Sequence, residues 1–445
     1  MSLRDCINRA VNGGEMDRER AERILREYDG AFADFQKRMG FTQAEIEAAR
    51  HVAGKARADA ARKRRLTQLQ GKAMERQVRR MEGHRDVWGR VSPGSFIQDL
   101  VEQRRGLEGE TLDGQTRAIF KKTMAPLREM TKTFRQLPGG FQAQGEKLAK
   151  VRRELFGEST GDEFAARMAQ QFTDAAESLR LRANAAGAAI PKLEKWGLPQ
   201  THNARAVART GEEAWIRYML GDDRGGRPRI DLERMGERFN DGLPFTRESI
   251  TPALQRVVNT IRTDGREGRA ISGQGGGRSL ANQRTDSRFL IFSSADDWAE
   301  YSSRFGAGDD EFQIMVAHIN DMSNEIAQME VFGPNPENGF RYLQDAALHV
   351  ADRSRDVATQ DRAKRQIKGA RNVFNLSTGK ANVPDNARVA RFMSGVRSYN
   401  VASLLGSAVI SAVNDFNNRR LQSAFMGMSR SRSFGMAARV MTDTR

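Results

Sequence analysis

Between Asp17 and Trp88 the chain contains no proline, few glycines and a high content of alanine and charged side chains. A run of this kind satisfies its backbone most readily as helix, since it lacks the turn residues that would break it and the strict alternation that would make a strand. Ile24, Leu25, Tyr28, Phe32 and Phe35 recur within it at spacings of three and four, the period of one helical face. Gly40 interrupts the pattern, and Thr42 followed by Glu45 reads as a capping box opening the next helix. With only 11 prolines in 445 residues and 38% hydrophobic content, the same expectation extends along the chain. It is a mainly α protein of long helices joined by extended loops, elongated, with little or no β-sheet.

Charge is segregated. The chain carries a formal +16, which points towards polyanions such as nucleic acid or an anionic membrane surface. Residues 50–90 hold thirteen Lys and Arg against four acids, and residues 338–445 hold eighteen against seven. The two zones are thus net +9 and +11, and the remainder is net −4. A solvated helical face would mix signs more evenly. Arg62, Lys63, Arg64, Arg65, Arg79 and Arg80 are therefore the residues expected to face DNA phosphates. Cys6 is the only cysteine, so no intramolecular disulfide and no Cys-rich zinc site can form. The first residues contain no apolar core of a secretory signal, and no run reaches the length of a spanning helix. The chain is expected to start life soluble in a cytoplasm.

Composition divides the sequence into four regions: a basic helical region over 1–90, a helical region over 91–190, a loop-rich region over 191–336 and a basic helical region over 337–445. In the second, Ser92-Pro93-Gly94 reads as a turn, and Pro126, Leu137-Pro138-Gly139-Gly140 and Gly157 punctuate helical pieces. A helix opening at Gly161-Asp162 has Phe164, Met168, Phe172, Ala176 and Leu179 as its stripe, followed by small residues (Ala185 to Ala189) suited to close helix contact. The third region holds WGLPQTHNARAV, DDRGGRPRI and ISGQGGGRSLANQR, loops long enough to be binding or assembly elements. RFLIF (288–292) is the one short run with strand character, and Ser294 then caps a helix with Asp296 and Asp297 in its first turn.

His318 precedes Asp321 and Glu325 on a helix whose apolar stripe runs through Phe312, Met315, Val316, Ile319, Met322, Ile326 and Met329, ending at Gly333-Pro334. A zinc site would need at least two further ligands, and the other histidines (His51, His84, His202, His349) form no H-x-x-x-H pair. His318 thus reads as a structural residue on the flank of the stripe. The glycine-rich ISGQGGGRSLANQR lacks the G-K-[ST] ending of a phosphate-binding loop. No G-x-S-x-G, kinase set or deaminase-type cluster occurs. The sequence singles out no catalytic residue, cofactor or metal.

Two segments are better suited to contacts. Trp196 before Leu198-Pro199 suggests an aromatic anchor on a fixed turn, with Gln200, His202 and Asn203 able to donate or accept around a partner chain. No charge lies between Arg397 and Asp415, where Leu404, Leu405 and Ile410 stand among Ala402, Gly406, Ala408 and Ala412. That segment suits a buried helix in an assembly, membrane insertion or an interfacial helix flanked by arginines. Trp196, His202, Leu404, Leu405 and Ile410 are accordingly the expected assembly or membrane contacts.

Three pieces in order, WGLPQTHN, then an R-F-L-x-F run leading into an acidic D-x-W-x-x-Y helix, then G-P-N-P, resemble a segment of the internal virion proteins of short-tailed bacteriophages. They fall at Gly197 to Asn203, Arg288 to Tyr301 and Gly333 to Pro336, so the resemblance spans about residues 190–336, with weaker similarity at 397–416. It implies a helix-rich inner-core or ejection protein, non-enzymatic in itself, that forms rings or tubes of identical copies. Its partners would be other virion proteins, DNA and the host membrane. Its place would be the virion interior and, after infection, the host periplasm or inner membrane. The chain ends at MTDTR without tapering, as part of a longer polypeptide would. An entry enzyme that hydrolyses peptidoglycan and a stand-alone basic DNA-binding protein are the alternatives.

Overall fold

The computed structural model describes residues 3–86, 88–102, 110–128, 133–134, 140–195, 197–239, 242, 244–262, 289–307, 311–353 and 356–378. The proline-free run becomes α2 (Arg18–Gln36) and α3 (Phe41–Gly83), preceded by α1 (Leu3–Asn12). Asp17 caps α2, its carboxylate accepting from the Arg20 N–H at 2.7 Å. The expected capping box does not form. Gly40 is the N-cap and contributes no side-chain bond, so Thr42 and Glu45 fall inside α3, where neither can reach a free terminal N–H.

At 43 residues, α3 is about 65 Å long, and it is buried in two separate stretches. Ala48 and Val52 pack on Tyr28 of α2, with Ile24, Phe32 and Phe35 around them, and Ala44 is buried as well. Ala73, Met74, Gln77 and Met81 form the second buried stretch. Residues 53–61 between them are exposed on all sides.

Next come α4 (Pro93–Val101), α5 (Leu112–Met124), α6 (Gly140–Leu155) and α7 (Glu163–Ala185). Ser92-Pro93-Gly94 is the start of α4, with Pro93 in the first turn, where its missing N–H costs nothing. Thr111 caps α5 by accepting from the Gly114 N–H at 3.0 Å. Of the expected α7 stripe, Met168, Phe172, Ala176 and Leu179 are buried, while Phe164 is half-buried. The helix stops at Ala185, however, and the small residues beyond it make a turn. There Gly187 (φ +119°) comes so close that an added Cβ would stand 2.9 Å from Pro334 and 3.1 Å from Leu66.

Asp162 holds the start of α7. Its carboxylate accepts from the Ala165 N–H at 3.1 Å and pairs with Lys147 and Lys150. The Lys147 hydrogen bond is the first cause holding this carboxyl well below the usual carboxylate range. A depressed folded-state pKa contributes stability above the unfolded value near 4 and loses it as pH falls below that. Asp162→Asn keeps the cap but gives up the lysines, and should cost about 1 kcal/mol at pH 7. In denaturant titrations the gap from wild type should narrow between about pH 5 and pH 2; a pH-independent gap would show the lysines contribute nothing.

The remaining elements are α8 (Ala204–Thr210), α9 (Glu212–Met219), a 3-10 turn (Asp222–Arg224), α10 (Leu232–Phe239), α11 (Arg247–Arg262), α12 (Ala295–Phe305), α13 (Glu311–Phe332), α14 (Pro336–Asp352) and α15 (Val357–Ser377). Ser294 caps α12, accepting from the Asp297 N–H at 3.1 Å, with Asp296 and Asp297 in the first turn as the sequence predicts. The described part of RFLIF, residues 289–292, makes no strand. Phe292 forms a single bridge with Ile230, flanked by Asp231 N–H to Ile291 carbonyl (2.8 Å) and Ser293 N–H to Arg229 carbonyl (2.9 Å). The described residues contain this bridge and one between Arg85 and Val91, but no strand, so the fold is mainly α.

The hub is α13, which packs against α3, α5, α6, α7 and α14. Met315, Ile319, Met322, Ile326 and Met329 of its stripe are buried. Gly333 (φ +86°) ends it, where a left-handed residue is needed. Its last carbonyls, which no helical N–H can reach, are met by α3. Gln70 donates to the Phe332 carbonyl (2.6 Å), Gln77 to that of Val331 (3.1 Å) and Arg76 to that of Glu330. The Gln70 carbonyl accepts from the Asn335 N–H at 2.9 Å. The G-P-N-P turn is thus the socket into which α3 is locked. The chain divides into two compact units, Met1–Val373 and Phe374–Arg445.

Candidate functional site

Two places collect the residues that the sequence singles out: the outer face of α3, and a polar-aromatic node around Tyr301. On α3 the buried Ala73, Gln77 and Met81 define the docking face. At 100° per residue, Arg57, Arg64, Lys72 and Arg79 fall within about 80° of one another on the opposite side, and all four are exposed. Lys63 is exposed but points to the other side of the helix, at the same angle as Met81. The predicted phosphate contacts differ in their surroundings. Arg79 pairs with Glu75 at 2.5 Å in the open. Arg65 donates to the Asn184 carbonyl at 2.9 Å, and Arg62 is half-buried.

Arg80 is turned inward. It donates to Gln77 at 2.7 Å and to the Glu110 carbonyl at 3.2 Å, and its guanidinium lies 5.8 Å from the centre of the Phe96 ring. Burial pushes its pKa down despite Glu110. Sequence reasoning missed Arg57 and Lys72, because a run of adjacent cations does not reveal which of them share a face. The angular spacing from Ala73 and Gln77 is the signal that identifies them.

The node joins the first two pieces of the resemblance in space. Gln200 donates to the Leu290 carbonyl (3.3 Å), the Asn203 N–H to that of Phe305 (2.7 Å), and the Ala307 N–H to the Thr201 hydroxyl (3.2 Å). Asn203 also caps α8, accepting from the Arg205 and Ala206 N–H groups at 3.1 Å. His202 Nδ1 lies 2.9 Å from the Tyr301 hydroxyl. The His202 residue itself is exposed, yet the packed surroundings of its ring push the pKa down to about 4. Tyr301, Trp215 and Phe305 are buried around it, with the Tyr301 ring 5.2 Å from that of Phe292 and 5.3 Å from that of Phe305.

Arg229, unmarked in the sequence reading, anchors the other side of the node. Its side chain is 3% exposed. It donates to both oxygens of Asp223 (2.7 and 2.8 Å), both of Glu300 (3.1 and 2.6 Å) and the Tyr218 carbonyl (2.6 Å). Its guanidinium lies 3.7 Å from the centre of the Tyr218 ring, and that of Arg304 4.8 Å away. Burial opposes the Arg229 charge, but the two carboxylates outweigh it and raise the pKa. Burial also pushes Tyr218 up to about 12, so the phenol stays protonated. The node is a fixed cation among protonated phenols, and it holds the WGLPQTHN loop, α9 and α12 together.

His318 lies in the buried stripe rather than on its flank, with its ring 6.2 Å from that of Phe172 and nearly perpendicular to it. Asp321 is exposed and Glu325 is half-buried. Among the described residues no group of three His, Cys, Asp or Glu side chains is placed to hold a metal ion, and no helix is long and apolar enough to cross a membrane. Trp196, Leu404, Leu405 and Ile410 lie outside the described residues, as does the small-residue segment 397–416. No family model, curated protein or solved structure matches the chain.

Proposed function

We propose that this chain is a structural, non-enzymatic protein of a bacteriophage particle that oligomerises and helps form a conduit for genome delivery across the host envelope. The observation that carries this reading is α3: a long helix, buried near both ends, whose outward face presents Arg57, Arg64, Lys72 and Arg79 against two acids, Glu75 and Glu82. Cations repeated along one exposed helix face follow a phosphate backbone and bind it without reading its sequence. The motif resemblance supplies the setting. In that setting other virion proteins and the host membrane are further partners, and the protein passes from the virion interior to the host periplasm or inner membrane. Cryo-EM of the protein with DNA and lipid should show symmetric copies with α3 turned towards a DNA-filled lumen. A monodisperse monomer with either partner, absent from particles, would contradict it.

A further inference from the structure

Beyond α3 the chain makes a short turn that holds a tryptophan out into solvent. Trp88 is 74% exposed, on a turn held by backbone and side-chain hydrogen bonds. Arg85 and Val91 form an antiparallel bridge across the turn. The Asp86 N–H donates to the Arg90 carbonyl at 2.9 Å, and the Gly89 N–H to the Asp86 carbonyl at 2.8 Å. The Asp86 carboxylate accepts from the N–H groups of Trp88 and Arg90, both at 3.0 Å, and from Arg90 Nε at 3.1 Å. Gly89 supplies the left-handed residue (φ +77°) that closes the turn. At its base the buried His84 meets Ser95 at 3.1 Å and Asp99 at 3.3 Å.

A lone exposed apolar side chain is ordinary, but this one sits on a turn whose backbone N–H groups are held by the Asp86 carboxylate. The Arg90 guanidinium lies 4.7 Å from the centre of the indole, a cation–π contact that orients the ring, and Arg85 is exposed beside it. From this geometry we infer that Trp88 is a stacking platform for one base of a single-stranded nucleic acid, with Arg90 orienting the indole and Arg85 meeting an adjoining phosphate. An indole oriented by one guanidinium matches the area of one base. Among the described residues of this turn Val91, 44% exposed, is the other large apolar side chain in the open, and the vesicle arm of the test below addresses a lipid surface. The contact requires unpaired bases, so it is separate from the duplex contact of α3.

The test uses the full chain carrying Trp196→Phe, in which Trp215 and Trp298 are buried at 0% and 2% exposure and Trp88 is the exposed indole. A short oligo(dT) should quench the emission and protect it from iodide. Trp88→Ala should weaken oligo(dT) binding roughly five- to hundredfold, Trp88→Phe by less, and neither should alter duplex affinity or the circular dichroism. Gln substitutions on α3 should lower the salt dependence for both nucleic acids while leaving the Trp88 quench in place. Failure of the α3 contact would thus be distinguishable from failure at Trp88. Equal oligo(dT) affinity in Trp88→Ala would overturn the inference. So would a blue shift with phosphatidylglycerol vesicles and none of these responses to oligo(dT).

Discussion

Arg229→Met should destabilise the chain by about 2–3 kcal/mol, and Arg229→Lys by nearly as much. A guanidinium has five N–H donors, and all five of Arg229 have acceptors: two Asp223 oxygens, two Glu300 oxygens and the Tyr218 carbonyl. Removing one partner of a fully buried pair costs about 3–5 kcal/mol because the other charge is stranded. Here the side chains of Asp223 and Glu300 are 48% and 50% exposed and can be rehydrated, which reduces the figure. The loss of the Tyr218 contact remains. Lysine brings three donors from a single point and cannot reach both carboxylates with two bonds each. Denaturant titration followed by tryptophan emission would measure this, since Trp215 lies in the same node. A lysine variant within about 0.5 kcal/mol of wild type would mean the fork is incidental.

Gly339→Ala should cost about 3 kcal/mol or more. Gly339 lies in the first turn of α14, where an added Cβ would fall inside the Phe332 carbonyl oxygen and 2.9 Å from Gln70 Nε2. The oxygen is main chain and is already held by Gln70 at 2.6 Å, so no side-chain rotation relieves the clash. Either α14 shifts or α3 leaves its socket, and in the second case DNA binding would weaken along with stability. Gly14→Ala is the control: its φ is +74° with nothing within 4 Å, so only backbone strain of about 1 kcal/mol should appear. Equal costs at the two glycines would show that the crossing at Gly339 is not tight.

The helices were legible where the signal is local. The α13 stripe, the Ser294 cap, the helix start at Gly161-Asp162 and the uninterrupted α3 all follow from spacing and capping chemistry within one segment. Most failures came where a distant contact decides, and one came from a neighbouring residue. Thr42 and Glu45 have the letters of a capping box, but Gly40 already supplies the extended residue before the helix. RFLIF has strand-forming residues, yet the facing Ile230 offers only one bridge, and a strand needs a longer partner. Arg229 was hidden because DDRGGRPRI reads as a loop, and its acceptor Glu300 lies 71 positions away. The basic zone was legible as charge. Which cations face outward was not, since Arg80 is drawn in by Glu110 and Phe96, neither of which its neighbours in sequence reveal.

The most direct test of a DNA-facing α3 is the salt dependence of duplex binding by wild type and by the fourfold variant Arg57→Gln, Arg64→Gln, Lys72→Gln, Arg79→Gln. Arg65 and Arg80 stay native, because they bond to Asn184 and Glu110. Exposed helix charges contribute only a few tenths of a kcal/mol each to folding, so the variant should fold normally. Each lost phosphate contact should reduce the slope of log affinity against log salt by about 0.9, or about 3.6 for all four. An unchanged slope in a variant that no longer assembles would place these cations against the acids of a neighbouring copy, and the DNA-facing account of α3 would be wrong.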